Sequence, residues 1–94
     1  MPSYLVEAYL PRSLPDEADA AGRRARAAAD ELFREGTPIR YVRTTFLPDD
    51  ETCFHLFEAD SADAVAVVCR RARLGHARIV PAIEASRSRR SPAR

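Results

Sequence analysis

The most chemically versatile residue of this 94-residue chain is His55, which lies two positions after Cys53. Neutral imidazole is a ligand for Zn²⁺, Ni²⁺ and Cu²⁺, and it serves as a general base near neutral pH. A cysteine thiolate adds a soft metal ligand or a nucleophile. The C-x-H spacing matches neither a C-x-x-C zinc site nor a protease signature, so burial of Cys53 as a small hydrophobe is the alternative.

Two further residues complete a predicted metal site. If Glu7 shares a sheet face with His55, its carboxylate can ligate beside the imidazole or orient its second nitrogen. His76 follows Gly75 in a predicted loop and can add a ligand from the end of the sheet. The predicted ligands of a transition metal such as Ni²⁺ or Zn²⁺ are therefore His55, Glu7, Cys53 and His76. The alternative is a histidine whose hydrogen bonds are satisfied within an interface.

The same region suggests an enzyme as a second possibility. Tyr41 and Arg43, which precede His55 in the chain, are separated by one apolar residue, and an arginine makes forked hydrogen bonds to a carboxylate. His55, Tyr41, Arg43 and Glu7 would then act as acid, base and anion clamp on a small-molecule ligand. A salt bridge between Arg43 and Glu7 is the structural alternative. The chain contains no Gly-rich phosphate loop, HExxH or GxSxG motif.

The periodicity of the chain predicts the elements that position these residues. Residues 39–58 alternate in polarity on both sides of a Pro-Asp-Asp turn, which predicts a β-hairpin. Residues 4–10 and 79–84 predict two more strands, and residues 16–35 and 62–73 carry the apolar stripes of helices. The order β-α-β-β-α-β predicts an α+β, ferredoxin-like sandwich, in which a four-stranded antiparallel sheet carries two helices on one face.

The alternation also predicts which side chains face the helices. An apolar set is assigned to the helix side: Val6, Ala8, Val42, Phe46, Phe54 and Leu56. A mixed aromatic and charged set is assigned to the open face of the sheet: Glu7, Tyr9, Tyr41, Arg43, Thr45, Cys53, His55, Phe57 and Glu84. A surface of that composition is typical of an association or ligand site, so a homodimer through the open face is predicted. A register slip of one residue would exchange the two faces.

Composition limits the class of protein. The apolar fraction of 46% and the charged fraction of 31% are those of a globular domain, here residues 1–85, followed by an Arg/Ser-rich tail at 86–94 that is predicted to be disordered. The chain has no long apolar window and no signal-peptide pattern, so no membrane association and a cytoplasmic location are expected. Four arginines of the tail leave a mildly acidic body, which argues against nucleic-acid binding. The absence of Lys beside abundant Arg and Ala points to a GC-rich, actinobacterial-type genome.

Most of the domain resembles a known family. The opening YLVEAYLP, the helix that ends in EG, the block IRYVRTTFLPDDETCFHLFEA and the following SADAVAVVCRRARLGHARIVPAIE resemble the small DUF4242 family. Some members of that family are described as nickel-binding proteins. The resemblance implies a ferredoxin-like fold that dimerises and binds a transition metal.

Three functions follow, in order of preference. The first is a small dimeric metal-binding protein of nickel type. The second is a dimeric α+β enzyme, a cyclase, isomerase or cofactor-free oxygenase, and it is an analogy from fold alone. The third is a non-catalytic interaction module whose basic tail docks on an acidic partner.

Overall fold

The computed structural model describes residues 1–85, which form four strands and two helices. The elements are β1 (Ser3–Tyr9), α1 (Pro15–Arg34), β2 (Ile39–Leu47), β3 (Thr52–Ala59), α2 (Ala62–Arg71) and β4 (Ala77–Ala82). The strands form one antiparallel sheet in the order β2-β3-β1-β4. The predicted ferredoxin-like α+β fold is confirmed. The tail predicted to be disordered lies outside the described residues.

Helix α1 packs on the sheet through small side chains. Pro15 occupies its first turn, and its buried face is mostly alanine, so the helix axis can lie close to the strands. The apolar stripe predicted for this helix is buried except at Phe33, which is 62% exposed; its residues are Ala18, Ala21, Ala25, Ala28, Ala29, Leu32 and Phe33. Gly36 ends the helix with a positive φ of 106°, a backbone conformation that favours glycine.

Helix α2 begins at a side-chain cap and is tied to α1 by arginines. The Ser61 hydroxyl accepts a hydrogen bond from the backbone N–H of Ala64. Arg24 of α1 donates from Nε to the carbonyl oxygen of Ala72, the residue that ends α2, at 2.8 Å. Arg71 of α2 reaches back to two glutamates near the end of α1. Both helices therefore cover the same face of the sheet.

For strand β3, the face predicted to lie under the helices is the open one, and the face predicted to be open lies under the helices. Register pairs Val6 with His55 and Ala8 with Cys53, and directly opposed residues of antiparallel strands share a face. Two sets of residues were therefore assigned to the wrong face. Cys53, His55, Phe57 and Tyr41 lie under the helices, whereas Phe54 and Leu56 lie on the open face. The other assignments are correct at Val6, Ala8, Phe46, Glu7, Tyr9, Arg43 and Thr45. Because β3 is apolar on both faces, its alternation alone does not distinguish them.

A β-bulge in strand β2 changes the parity of that strand. Tyr41 pairs with Phe57 and Arg43 pairs with Leu56, so Val42 is left as an extra residue. The extra residue lets Tyr41 and Thr44, three positions apart, face the same helix. The bulge therefore creates the close contact between their hydroxyl groups that is described below.

Among residues 1–85, none of the helices combines the length and the apolar character needed to cross a lipid bilayer.

Candidate functional site

A chain of hydrogen bonds runs beneath helix α1 from strand β2 to strand β3. The Tyr41 hydroxyl lies 2.6 Å from Oγ1 of Thr44, and that Oγ1 lies 2.7 Å from Nδ1 of His55. Nε2 of His55 lies 3.7 Å from Sγ of Cys53. Each hydroxyl can donate or accept, so the four side chains form a continuous chain of hydrogen bonds whose direction depends on the histidine tautomer.

His55 is held neutral at physiological pH. Its side chain is 1% exposed, and burial lowers the pKa of the imidazole to about 4, with a smaller contribution from the positive charge of Arg24. A neutral imidazole carries one proton, so one ring nitrogen donates and the other accepts. His55 therefore donates a hydrogen bond to only one of its two partners, Thr44 or Cys53, and accepts from the other.

The two ends of this chain open into different cavities. Tyr41 and Thr44 line a cleft of about 460 Å³ between α1 and the edge strand β2, which we call the α1–β2 cleft. Cys53 and His55 line a smaller cavity of about 190 Å³ on the other side, which we call the rear cavity. The α1–β2 cleft has the volume of a small-molecule site. The imidazole therefore connects a ligand-sized cleft with a second cavity.

Helix α1 shapes the cleft with small and charged side chains. Gly22 lies against the hydroxyl pair, and a Cβ at this position would lie 3.0 Å from Thr44 Oγ1 and 3.1 Å from the Tyr41 hydroxyl oxygen. The guanidinium of Arg26 stacks over the Tyr41 ring at 5.1 Å from its centroid. Asp19 and Arg23, one helical turn apart, form an ion pair at the same cleft. Thr44 and Arg26 thus contact Tyr41, and the Asp19–Arg23 pair lies in the same lining.

The rear cavity holds a neutral thiol beside an ion pair. Arg24 binds the Glu17 carboxylate at 3.1 Å, and both residues line the cavity with Cys53. Burial raises the pKa of the Cys53 thiol, and the negative charge of Glu17 raises it further. Cys53 is therefore a protonated thiol near neutral pH, and its S–H group is available to donate.

The structure brings together only part of the predicted site. His55, Cys53 and Tyr41 lie on the helix-covered face, whereas Glu7 lies on the open face, where it pairs with Arg78 at 3.2 Å. Arg43 also lies on the open face, and it pairs with Glu84 rather than with Glu7. His76 is exposed in the loop before β4. The expected set of four metal ligands and the expected acid, base and clamp set are therefore each divided between two sides of the sheet.

Comparisons of this chain with models of protein families, with curated proteins and with solved structures found no match.

The metal implied by the family resemblance fits a pair of residues and not the predicted set of four. Among the residues that the structure describes, no group of three or more His, Cys, Asp or Glu side chains is placed to hold a metal ion. Cys53 and His55 are close enough to share one ion. Metal binding by this chain stays a prediction, now confined to that pair.

Sequence reasoning missed three residues of the site. The alternation places Thr44 on the helix side with Phe46 but puts Tyr41 on the opposite face, so without the bulge it does not predict that the two hydroxyls meet. Arg26 lies off the apolar stripe of α1, and only its position over Tyr41 makes it part of the site. Gly22 lowers the helix propensity of α1, and its missing side chain is what lets α1 approach Thr44. A glycine in the middle of an otherwise strong helix was the one available signal, since such a glycine often marks a close contact.

Proposed function

We propose that this chain is a small acid–base enzyme of isomerase type, which enolises a carbonyl compound in the α1–β2 cleft. One observation carries the proposal: the unbroken chain of hydrogen bonds that connects a buried, neutral His55 with the Tyr41 hydroxyl in a ligand-sized cleft. Buried chains of hydrogen bonds polarise their members cooperatively, and strongly shifted pKa values such as that of His55 cluster at functional sites.

The protonated thiol of Cys53 favours one donor–acceptor direction along this chain of hydrogen bonds. If the S–H of Cys53 donates to Nε2, His55 carries its proton on Nδ1 and donates it to Thr44 Oγ1. Thr44 then donates to the Tyr41 oxygen, and the Tyr41 O–H is free to point into the cleft. Every donor is aimed at the cleft, so the phenol becomes a stronger hydrogen-bond donor toward an oxygen that gains negative charge.

The reaction step needs no oxidant. The carboxylate of Asp19 lines the same cleft and takes a proton from the carbon next to the substrate carbonyl. The C–H electron pair forms the carbon–carbon double bond of the enolate, and Tyr41 stabilises the resulting oxyanion by donating its hydrogen bond. Return of the proton to the oxygen gives the enol, and the reverse sequence gives the ketone.

The test measures whether the protein catalyses the tautomerisation of phenylpyruvate, and the ultraviolet absorbance of the enol monitors the reaction. We expect Tyr41→Phe and Asp19→Asn each to lower kcat about 100-fold, which is typical for loss of a general acid or base. Tyr9→Phe is the matched control, because Tyr9 is exposed on the open face. Equal rates for Tyr41→Phe and wild type would reject the proposal.

In this proposal His55 acts by donating a hydrogen bond to Thr44. Its test must therefore distinguish loss of that hydrogen bond from loss of packing. Asn places an amide near the Nδ1 position and keeps a donor for Thr44, whereas Leu fills a similar volume without one. We expect His55→Asn to retain a clearly larger share of kcat than His55→Leu, and Thr44→Val to resemble His55→Leu. If both His55 variants lose the same activity at equal folded fraction, the imidazole has only a packing role.

A second candidate is metal binding by Cys53 and His55, as members of the DUF4242 family would bind nickel. The supporting observation is the distance of 3.7 Å between Sγ and Nε2. Sulfur and nitrogen ligands of one tetrahedral zinc ion lie about 3.5 Å apart. The bond from Nδ1 to Thr44 is the type of contact that orients a ligating histidine. A resident Ni²⁺ or Zn²⁺ would supply Lewis-acid chemistry at the rear cavity.

Titration with Co²⁺ tests this candidate, since a cobalt–thiolate bond adds a charge-transfer absorption in the near ultraviolet. Calorimetry with Ni²⁺ and Zn²⁺ gives the affinities. Loss of both signals in Cys53→Ser and His55→Asn is expected, and His76→Gln is the control. Metal binding that survives in both variants would place the ion elsewhere.

We also propose that the chain forms a cytoplasmic homodimer through the open face of its sheet. That face presents the half-buried side chains of Leu5, Phe54 and Val80 to solvent. Acidic and basic residues alternate across it in the pairs Glu7–Arg78, Arg40–Glu58 and Arg43–Glu84. A surface with both signs of charge around an apolar centre can complement a copy of itself across a two-fold axis. The two free thiols fit a reducing compartment.

A further inference from the structure

The α1–β2 cleft has an apolar end and a cationic end. At one end Phe46 packs against the cluster that contains Ala18. In the middle Gly22 lies against the hydroxyls of Thr44 and Tyr41. At the other end Arg26 lies over the Tyr41 ring. Since α1 rises about 1.5 Å per residue, Ala18 and Arg26 lie about 12 Å apart along the helix. The cleft thus presents an apolar wall, hydroxyl groups and a cation in sequence.

The charges of the cleft leave one cation uncompensated. Its lining contains Arg23, Arg26 and Asp19 as the charged residues. Arg23 and Asp19 neutralise each other in their ion pair, whereas no carboxylate within residues 1–85 lies at ion-pair distance from Arg26. A ligand with a single negative charge would therefore complete the site.

Arg26 contacts the Tyr41 ring and forms no ion pair within residues 1–85. The guanidinium lies over the Tyr41 ring at 5.1 Å from its centroid and makes no side-chain hydrogen bond within residues 1–85, so its N–H groups can form a forked pair of hydrogen bonds with a ligand carboxylate. The same contact keeps the side chain next to the Tyr41 hydroxyl. A carboxylate bound at that edge would sit beside the group proposed to polarise the carbonyl.

We propose that the cleft is specific for aryl 2-oxo monocarboxylates, with the carboxylate on Arg26, the 2-oxo oxygen at Tyr41 and the aryl group against Phe46; this inference rests on the proposed function. The order of groups in such a molecule matches the order of groups along the cleft. Arg26 is then the residue that determines specificity, and it fixes which carbon is presented for proton removal.

The experiment measures binding and turnover of three probes: phenylpyruvate, its methyl ester and pyruvate. Calorimetry gives Kd, and the absorbance of the enol gives kcat. We expect Arg26→Gln to weaken phenylpyruvate binding at least tenfold, and Arg26→Lys to restore only part of the affinity because an ammonium cannot form the fork. The ester should bind wild type and Arg26→Gln equally weakly. Pyruvate should bind at least tenfold more weakly than phenylpyruvate, because it lacks the aryl group.

Arg34→Gln is the matched control, since Arg34 is exposed near the end of the same helix and lies outside the cleft. Thermal unfolding checks that each variant is folded. Equal affinity of wild type and Arg26→Gln for phenylpyruvate, or no binding of phenylpyruvate by wild type, would overturn the inference.

The two proposals fail in different ways. Binding that depends on Arg26 and on the ligand carboxylate, without catalysed enolisation, would support the specificity and reject the isomerase. Enolisation that depends on Tyr41 but is equally fast for the ester and for Arg26→Gln would support the isomerase and reject the specificity.

Discussion

His55 is a polar residue that is fully buried in the core. Its ring is enclosed by α1 and by β1, and it is approached by Arg24, Glu17 and Cys53 from the rear cavity. Both ring nitrogens have partners, which offsets the cost of burying a polar side chain. Protonation would place a positive charge in a buried site near the positively charged Arg24, and both effects disfavour it. The neutral state of this residue is therefore a property of the fold.

We predict that stability falls as the pH is lowered from about 6.5 to about 4. The pKa of His55 is about 4 in the fold and near 6.5 in the unfolded chain. Between these values the unfolded state binds the extra proton, so acid favours unfolding; below pH 4 both states are protonated and this effect levels off. The total is on the order of 3 kcal/mol.

Urea unfolding at a series of pH values measures this prediction. His55→Asn should flatten the slope between pH 4 and 6.5, whereas His76→Gln, a change at an exposed position, should leave it intact. An unchanged slope in His55→Asn would mean that other groups cause the acid sensitivity.

At the scale of elements, helix α1 and strand β2 together make the site. The bulge at Val42 turns Tyr41 and Thr44 toward the helix, and Gly22 lets the helix come close enough to contact them. Bulges and interior glycines each weaken an isolated element. Here they occur opposite each other, which is expected where a close contact has a function.

We predict that Gly22→Ala impairs the site without stabilising the protein. Alanine favours a helix by roughly 1 kcal/mol over glycine. The added methyl would lie 3.0 Å from Thr44 Oγ1, which is held by two hydrogen bonds and cannot move without weakening them. We therefore expect little net change in unfolding free energy and at least a tenfold loss in kcat for phenylpyruvate.

Ala27→Gly supplies the reference for helix propensity, because Ala27 is exposed on the same helix. Ala27→Gly should lower the free energy of unfolding by roughly 1 kcal/mol and leave kcat unchanged. A Gly22→Ala variant that gains this full amount and keeps its activity would show that the contact has no functional role.

At the scale of the whole molecule, the sheet is covered by helices on one side only. The site lies on the covered side, so a dimer through the open face would leave the α1–β2 cleft accessible in both copies. Such a dimer would stabilise a domain this small, because a short chain buries little core of its own.

We predict a dimer with twice the chain mass of 10.5 kDa in light scattering after gel filtration. Phe54→Glu should produce monomers, since it places a charge at the apolar centre of the open face. Tyr9→Glu, at a side chain that is 70% exposed, should weaken the dimer without affecting the fold. Phe33→Glu is the control, because Phe33 is similarly exposed on α1. A monomeric wild type would exclude the proposed dimer.

The sequence by itself determined the element order and the fold class. Alternation with period two, the alanine stripe and the Gly and Pro signals specify helices and strands locally, and the β-α-β-β-α-β order then restricts the topology. His55, Cys53 and Tyr41 were also found from residue type alone, since few side chains have such chemistry.

Only the tertiary structure decided which of these residues meet. Strand β3 is apolar on both faces, so the side facing the helices depends on its register with β1, which pairs Val6 with His55. An unforeseen bulge then shifted the parity of β2 at Val42. A shift of one residue moves a side chain to the other face. Cys53, His55 and Tyr41 therefore lie on the helix-covered face, away from Glu7 and Arg43. On that face they meet Thr44 and Arg26.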